Sequence, residues 1–103
     1  MIKILVNKKS NQLSYIKISG HANYSKDGSD IVCAAVSSIA QTSINACLMF
    51  NSSCFNYKVN DGLIIIENIS NDEITLKLLS NMLLMLEQVA NDYPKNVNIR
   101  NEG

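Results

Sequence analysis

Strand-like alternation in this chain comes in pairs of runs joined by short polar turns, and that pairing restricts the fold more than any other feature. Ile2, Ile4 and Val6 alternate with more polar neighbours, and after the turn NKKSNQ the alternation resumes at Ile16 and Ile18. A period of two sends successive side chains to opposite faces of a strand, so residues 2–7 and 12–19 are predicted to form a β-hairpin ended by Gly20. Further on, Phe55, Tyr57 and Val59 alternate up to Asn60-Asp61-Gly62. Asp-Gly between apolar runs signals a tight turn, here leading into Leu63-Ile64-Ile65-Ile66.

After each hairpin the period changes. From Asp30 the chain reads IVCAAVSSIAQTSINACLMF, rich in Ala, with Ile31, Ala35, Ile39, Ile44, Cys47 and Leu48 as its apolar set. This predicts a buried helix of about five turns. Asp30 or Ser29 is the expected N-cap, and with Asp30 in that place Cys33 is the third helical residue. Ser70-Asn71-Asp72-Glu73 matches a capping box, after which Ile74, Leu78, Met82, Met85, Leu86 and Val89 keep helical spacing until Pro94. An additional apolar set on that helix, Leu76, Leu79, Leu83 and Leu84, is wider than one core face requires; it fits a dimer interface or a deeply buried helix equally well. Val97 and Ile99 form a closing strand. The order is ββαββαβ, and strands that arrive as hairpins imply an α+β fold with two helices packed on one face of a largely antiparallel sheet.

The 103 residues suit one domain spanning 1–103. An apolar fraction of 47% with only 17% charged residues gives that domain enough core to fold without metal or disulfide staples. Nine basic and nine acidic residues cancel, with no like-charged run longer than Lys8-Lys9, so the footprint of a direct nucleic-acid binder is missing. Three cysteines at 33, 47 and 54 form no CxxC pair, as expected of reduced thiols in a cytosolic protein, and with one histidine they make a poor zinc set. The first residues are too short an apolar run for a signal peptide, and no stretch approaches the roughly 18 apolar residues of a membrane span. No cofactor, metal or membrane partner is expected, and the cytoplasm is the expected location.

Reactive chemistry concentrates in GHANYSKDGSDIVCAAVSS, residues 20–38, which holds the lone histidine and the first cysteine. The thiolate is the nucleophilic form of cysteine, and both the positive end of a helix and a neighbouring imidazole favour it. Cys33 has the first by position. The polar loop from His21 to Ser29 runs from a strand end to a helix start, so its ends can bring His21 to Cys33, where first-turn N–H groups could hold an oxyanion. Asp30 fits a cap or an orienting third member, and Asp27 could orient His21 from within the loop. Ser37, four residues beyond Cys33, shares its helix face, and Ser38 is a further candidate for lining the cleft. Cys47 and Cys54, in apolar surroundings without a histidine, are expected to be packing residues.

SGHA, a short loop containing Gly, Ser and Asp, and then DIVCAAVSS resembles the signature of the ribosomal-processing cysteine proteases of the bacterial Prp family. The resemblance extends to length, opening hairpin, Asp-Gly hairpin and long second helix. It implies a cysteine endopeptidase that removes a short N-terminal extension from large-subunit ribosomal protein number twenty-seven, with His21 as general base and Cys33 as nucleophile. It also implies a homodimer and a flexible loop over the site, although ANYSKDGS here has one glycine and carries Tyr24 and Lys26. A non-enzymatic ribosome-assembly or peptide-binding module is the alternative. A redox-sensing thiol protein is a third reading, for which no resolving cysteine lies near Cys33 in sequence.

Overall fold

In a computed structural model, which describes residues 1–21 and 29–103, the alternating runs become strands β1 (Ile2–Lys9), β2 (Gln12–Ser19), β3 (Asn56–Asn60), β4 (Leu63–Glu67) and β5 (Val97–Glu102). The two helical stretches become α1 (Ser29–Phe50) and α2 (Glu73–Asp92). The strands form one sheet in the order β3-β4-β2-β1-β5; β5 runs parallel to β1 and every other pairing is antiparallel. The α+β architecture is thus the expected one, with a parallel edge on a mainly antiparallel sheet.

Register explains where the core lies. Val59, Ile64, Ile18, Ile4 and Ile99 stand opposite one another across all five strands, and Tyr57, Ile66, Ile16 and Val6 form the neighbouring row. Positions two apart share a face, so both rows project to the side that packs with the helices into one apolar cluster. Ile16 and Ile66 at the centre have no exposed surface, whereas Tyr57 and Val59 on the edge strand are half-exposed. The sheet therefore extends past its helical cover at β3.

The helices bury different stripes from those the bulkiest residues suggest. In α1 the buried residues are Val32, Val36, Ala40, Ile44 and Cys47, while Ile31 is largely exposed and Ala35 lies at the margin. Four-residue spacing keeps Val32, Val36, Ala40 and Ile44 in line, and their modest size lets the helix lie close against its neighbours. In α2, Thr75, Leu79, Met82 and Leu86 are buried, so Leu79 from the surplus set belongs to the core, whereas Ile74, Leu84 and Met85 are exposed.

The expected capping box is displaced by two residues. Asp72, not Ser70, is the N-cap: its carboxylate accepts from the Thr75 hydroxyl at 2.7 Å and from the Thr75 N–H at 3.4 Å. Those hydrogen bonds hold the Asp72 carboxyl below its usual range. Ser70 instead donates its N–H to the Cys54 carbonyl at 2.7 Å.

No run of consecutive apolar residues nears the length of a membrane span, but average hydropathy gives one candidate among the described residues. By length and average hydropathy Ile31–Phe50 is apolar enough to cross a bilayer. A count of consecutive apolar residues misses this because Ser37, Ser38, Gln41 and Thr42 interrupt the run without outweighing it. In the fold the same helix lays its Val32–Ile44 stripe into the core. Cys47 and Cys54 are fully buried; burial, followed by the nearby Cys54 thiol and Asp72 carboxylate, pushes the Cys47 thiol up to about 11, and burial likewise raises Cys54.

Candidate active site

Gly20 ends β2 with φ +95, a conformation that bends the chain away from the sheet immediately before His21. A Cβ at Gly20 would run into the Met1 carbonyl, so the bend is packed tightly beneath the start of β1. The Gly20 N–H donates to the Gly62 carbonyl at 3.0 Å, tying the end of β2 to the Asp61-Gly62 turn between β3 and β4. His21 follows that tie, exposed at the surface.

Cys33 reaches the same place from the helix. It is half-buried in the second turn of α1, on the margin of the Val32–Val36 stripe. Helical side chains lean toward the N-terminus, which sets its sulfur over the first turn, where N–H groups lack partners within the helix. The helix begins at Ser29, one residue before the expected cap at Asp30, so Ser29 and Asp30 are both helical and Cys33 is the fifth helical residue instead of the third. A capping side chain belongs to the residue before the first helical one. That residue, Asp27 and the loop segment 22–28 all lie outside the described residues, as does the side chain of Asp30.

Between these elements lies a cleft of about 290 Å³. Ile2, Ile18 and Ile64 from the sheet and Val36 from α1 give it an apolar floor. His21, Cys33, Ser37 and Asp61 are its polar members. Ser38, the other serine singled out from sequence, is exposed and is not among the lining residues; five residues from Cys33 it has rotated off the face that Ser37, at four, still shares. Among the described residues no group of three or more His, Cys, Asp or Glu side chains is arranged to hold a metal ion.

Sequence reading missed the contribution of the β3–β4 turn. Gly62 adopts φ +74, and a Cβ built there would stand 2.9 Å from Nε2 and 3.2 Å from Cε1 of His21, so the imidazole edge rests on the bare Cα of the glycine. Asp-Gly was the available signal, and it was legible only as a turn. A thiol and an imidazole in one cleft, beside a helix start, form an arrangement suited to nucleophilic acyl transfer.

The family model for cysteine protease Prp matches residues 1–98. The chain belongs to that family. A ribosomal processing cysteine protease Prp from Staphylococcus aureus is 32% identical over 102 residues, covering 95% of this chain and 94% of the relative. The crystal structure of an essential ribosomal processing protease Prp from S. aureus, with a covalently linked product peptide, superposes with a TM-score of 0.88 at 25% identity, covering 98% of this chain and 99% of that one. A Streptococcus mutans crystal structure gives 0.83 at 28% identity, covering 99% and 94%. Membership makes the chain a cysteine protease, and the Prp architecture is the one built above from the register of the sheet.

Proposed function

We propose that this chain removes the N-terminal extension of large-subunit ribosomal protein number twenty-seven, with Cys33 as nucleophile and His21 as general base. The observation that carries this reading is that the lone histidine and the cysteine near the start of α1 line the same cleft in a Prp-family chain. His21 takes the Cys33 proton, and the thiolate sulfur attacks the scissile carbonyl carbon. The carbonyl π pair moves onto oxygen, where N–H groups of the first helical turn, which have no carbonyl acceptor within the helix, receive the charge. Collapse breaks the C–N bond as His21 returns the proton to the leaving amine. Water, deprotonated by His21, then attacks the thioester, and the Cys33 thiol leaves with a proton. The apolar floor of Ile2, Ile18, Ile64 and Val36 suits a substrate segment that enters extended and buries an apolar side chain.

Incubation with the extended ribosomal protein, followed by intact-mass measurement, tests the reading. The wild type is expected to shorten the substrate, and Cys33→Ala or His21→Ala to slow cleavage by about 10³-fold or more. Unchanged substrate mass with the wild type, or equal cleavage by Cys33→Ala, refutes it. Binding without turnover would support the peptide-binding module instead. The reading places the enzyme in the cytoplasm beside assembling ribosomes, as a homodimer to which exposed Ile74, Leu84 and Met85 of α2 contribute. Leu84→Glu should halve the mass found by sedimentation without lowering secondary-structure content; an unchanged mass removes α2 from the interface.

A further inference from the structure

The His21 imidazole lies against Gly62 of the β3–β4 turn, and Gly62 bears on His21 in two ways. Its carbonyl accepts the N–H of Gly20, fixing the backbone from which His21 departs, at 3.0 Å. Its bare Cα leaves room for the ring, whose Nε2 and Cε1 stand 2.9 and 3.2 Å from where a Cβ would be and so crowd any L side chain. We propose that Gly62 is a positioning residue for His21, the bare Cα of the β3–β4 turn serving as the seat that holds the imidazole in the cleft with Cys33. The proposal rests on the dyad reading above, and adds a distant element to it.

Two demands therefore converge on this position. The φ of +74 is a left-handed conformation that asparagine tolerates better than most other residues with a side chain. The lack of a Cβ is a separate demand that asparagine cannot meet. If the turn alone required glycine, Gly62→Asn would be close to silent. If the imidazole requires it, the new Cβ pushes the ring off its seat. The ring is an exposed side chain, free to swing aside, so the cost falls on His21 placement more than on folding. Misplacing a proton-transfer group by about 1 Å can cost on the order of 100-fold in rate.

The test compares Gly62→Asn and Gly62→Ala with the wild type. His21 is the sole histidine of the chain, so its imidazole C–H resonances are identifiable without further assignment. Gly62→Asn should melt within a few degrees of the wild type, shift those resonances, and lower kcat by 10- to 100-fold with KM little changed. Gly62→Ala should show the same loss of kcat together with a lower Tm from turn strain. A Gly62→Asn enzyme with wild-type kcat, or with unmoved imidazole resonances, overturns the proposal. Should the wild type cleave nothing, the dyad reading fails, and the resonances alone decide the seat: shifted they sustain it, unmoved they refute it.

Discussion

Native alkylation separates the three cysteines by a margin that follows from their surroundings. Cys33 lines the cleft and is half-buried, whereas Cys47 and Cys54 have no exposed surface. The thiolate, not the thiol, displaces iodide from iodoacetamide. Raising the Cys47 thiol from 9.0 to about 11 leaves it about 100-fold less ionised than an ordinary cysteine at neutral pH. Access adds a second factor, since a thiol without exposed surface reacts only during local opening, and an opening that costs about 3 kcal/mol slows it by a further ~100-fold. The product is a rate about 10⁴-fold below that of an open, ordinary thiol. Treatment at pH 7.5 should therefore give one adduct, mapped to Cys33 by tryptic mass spectrometry after the remaining thiols have been capped in denaturant with a heavy reagent. Cleavage activity should vanish in step with that adduct. Labelling of Cys47 or Cys54 within tenfold of the Cys33 rate refutes the burial argument, and full Cys33 labelling with activity retained refutes its role as nucleophile.

Alkaline pH should weaken the fold through Cys47. The unfolded chain releases that proton near 9.0 and the folded one near 11, so the folded state binds more protons in that interval and stability falls as pH rises; it is fully present below 9.0, and about 3 kcal/mol is lost by 11, which urea melts across the range measure and Cys47→Ala should flatten. At the acid end the sign reverses for Asp72, whose carboxyl is held down by Thr75: its stabilisation is present above 3.8 and disappears as pH falls through the lower folded value, a dependence that Asp72→Asn should remove in acid titrations. Thr75→Val, which deletes a buried hydroxyl donating to Asp72 at 2.7 Å, should cost about 1 kcal/mol in thermal melts. Leu86→Ala, at a site with no exposed surface in α2, should cost about 2–5 kcal/mol by denaturant unfolding.

Both hairpins were legible because their signals are local. NKKSNQ and Asn60-Asp61-Gly62 fix where two neighbouring runs reverse, and the period of two fixes which residues face inward. The parallel pairing of β5 with β1 was not legible, since its register, Ile2 opposite Val97 and Ile4 opposite Ile99, joins the two ends of the chain and is settled only when α2 packs on the sheet. The helix faces slipped for a related reason. Choosing Ile31 over Val32 weighs hydrophobic bulk, whereas the fold weighs fit against a sheet already filled by Ile4, Ile16 and Ile64.

In the cleft, rarity made His21 and Cys33 visible: one histidine and one cysteine near a helix start stand out from any background. Ser37 against Ser38 is a finer distinction that rests on 100° of helical rotation per residue, and it needs the helix axis to be known. Gly62 was hidden by a different cause. Its presence after Asp61 was already explained by the turn, so nothing in the sequence asked for a second reason. Only the ring of His21, crowded against the place where a Cβ would stand, points to a glycine that answers to the site as well as to the hairpin. A residue whose local role is sufficient conceals any non-local one, and the substitution that separates the two must satisfy the turn while failing the site, as Gly62→Asn does.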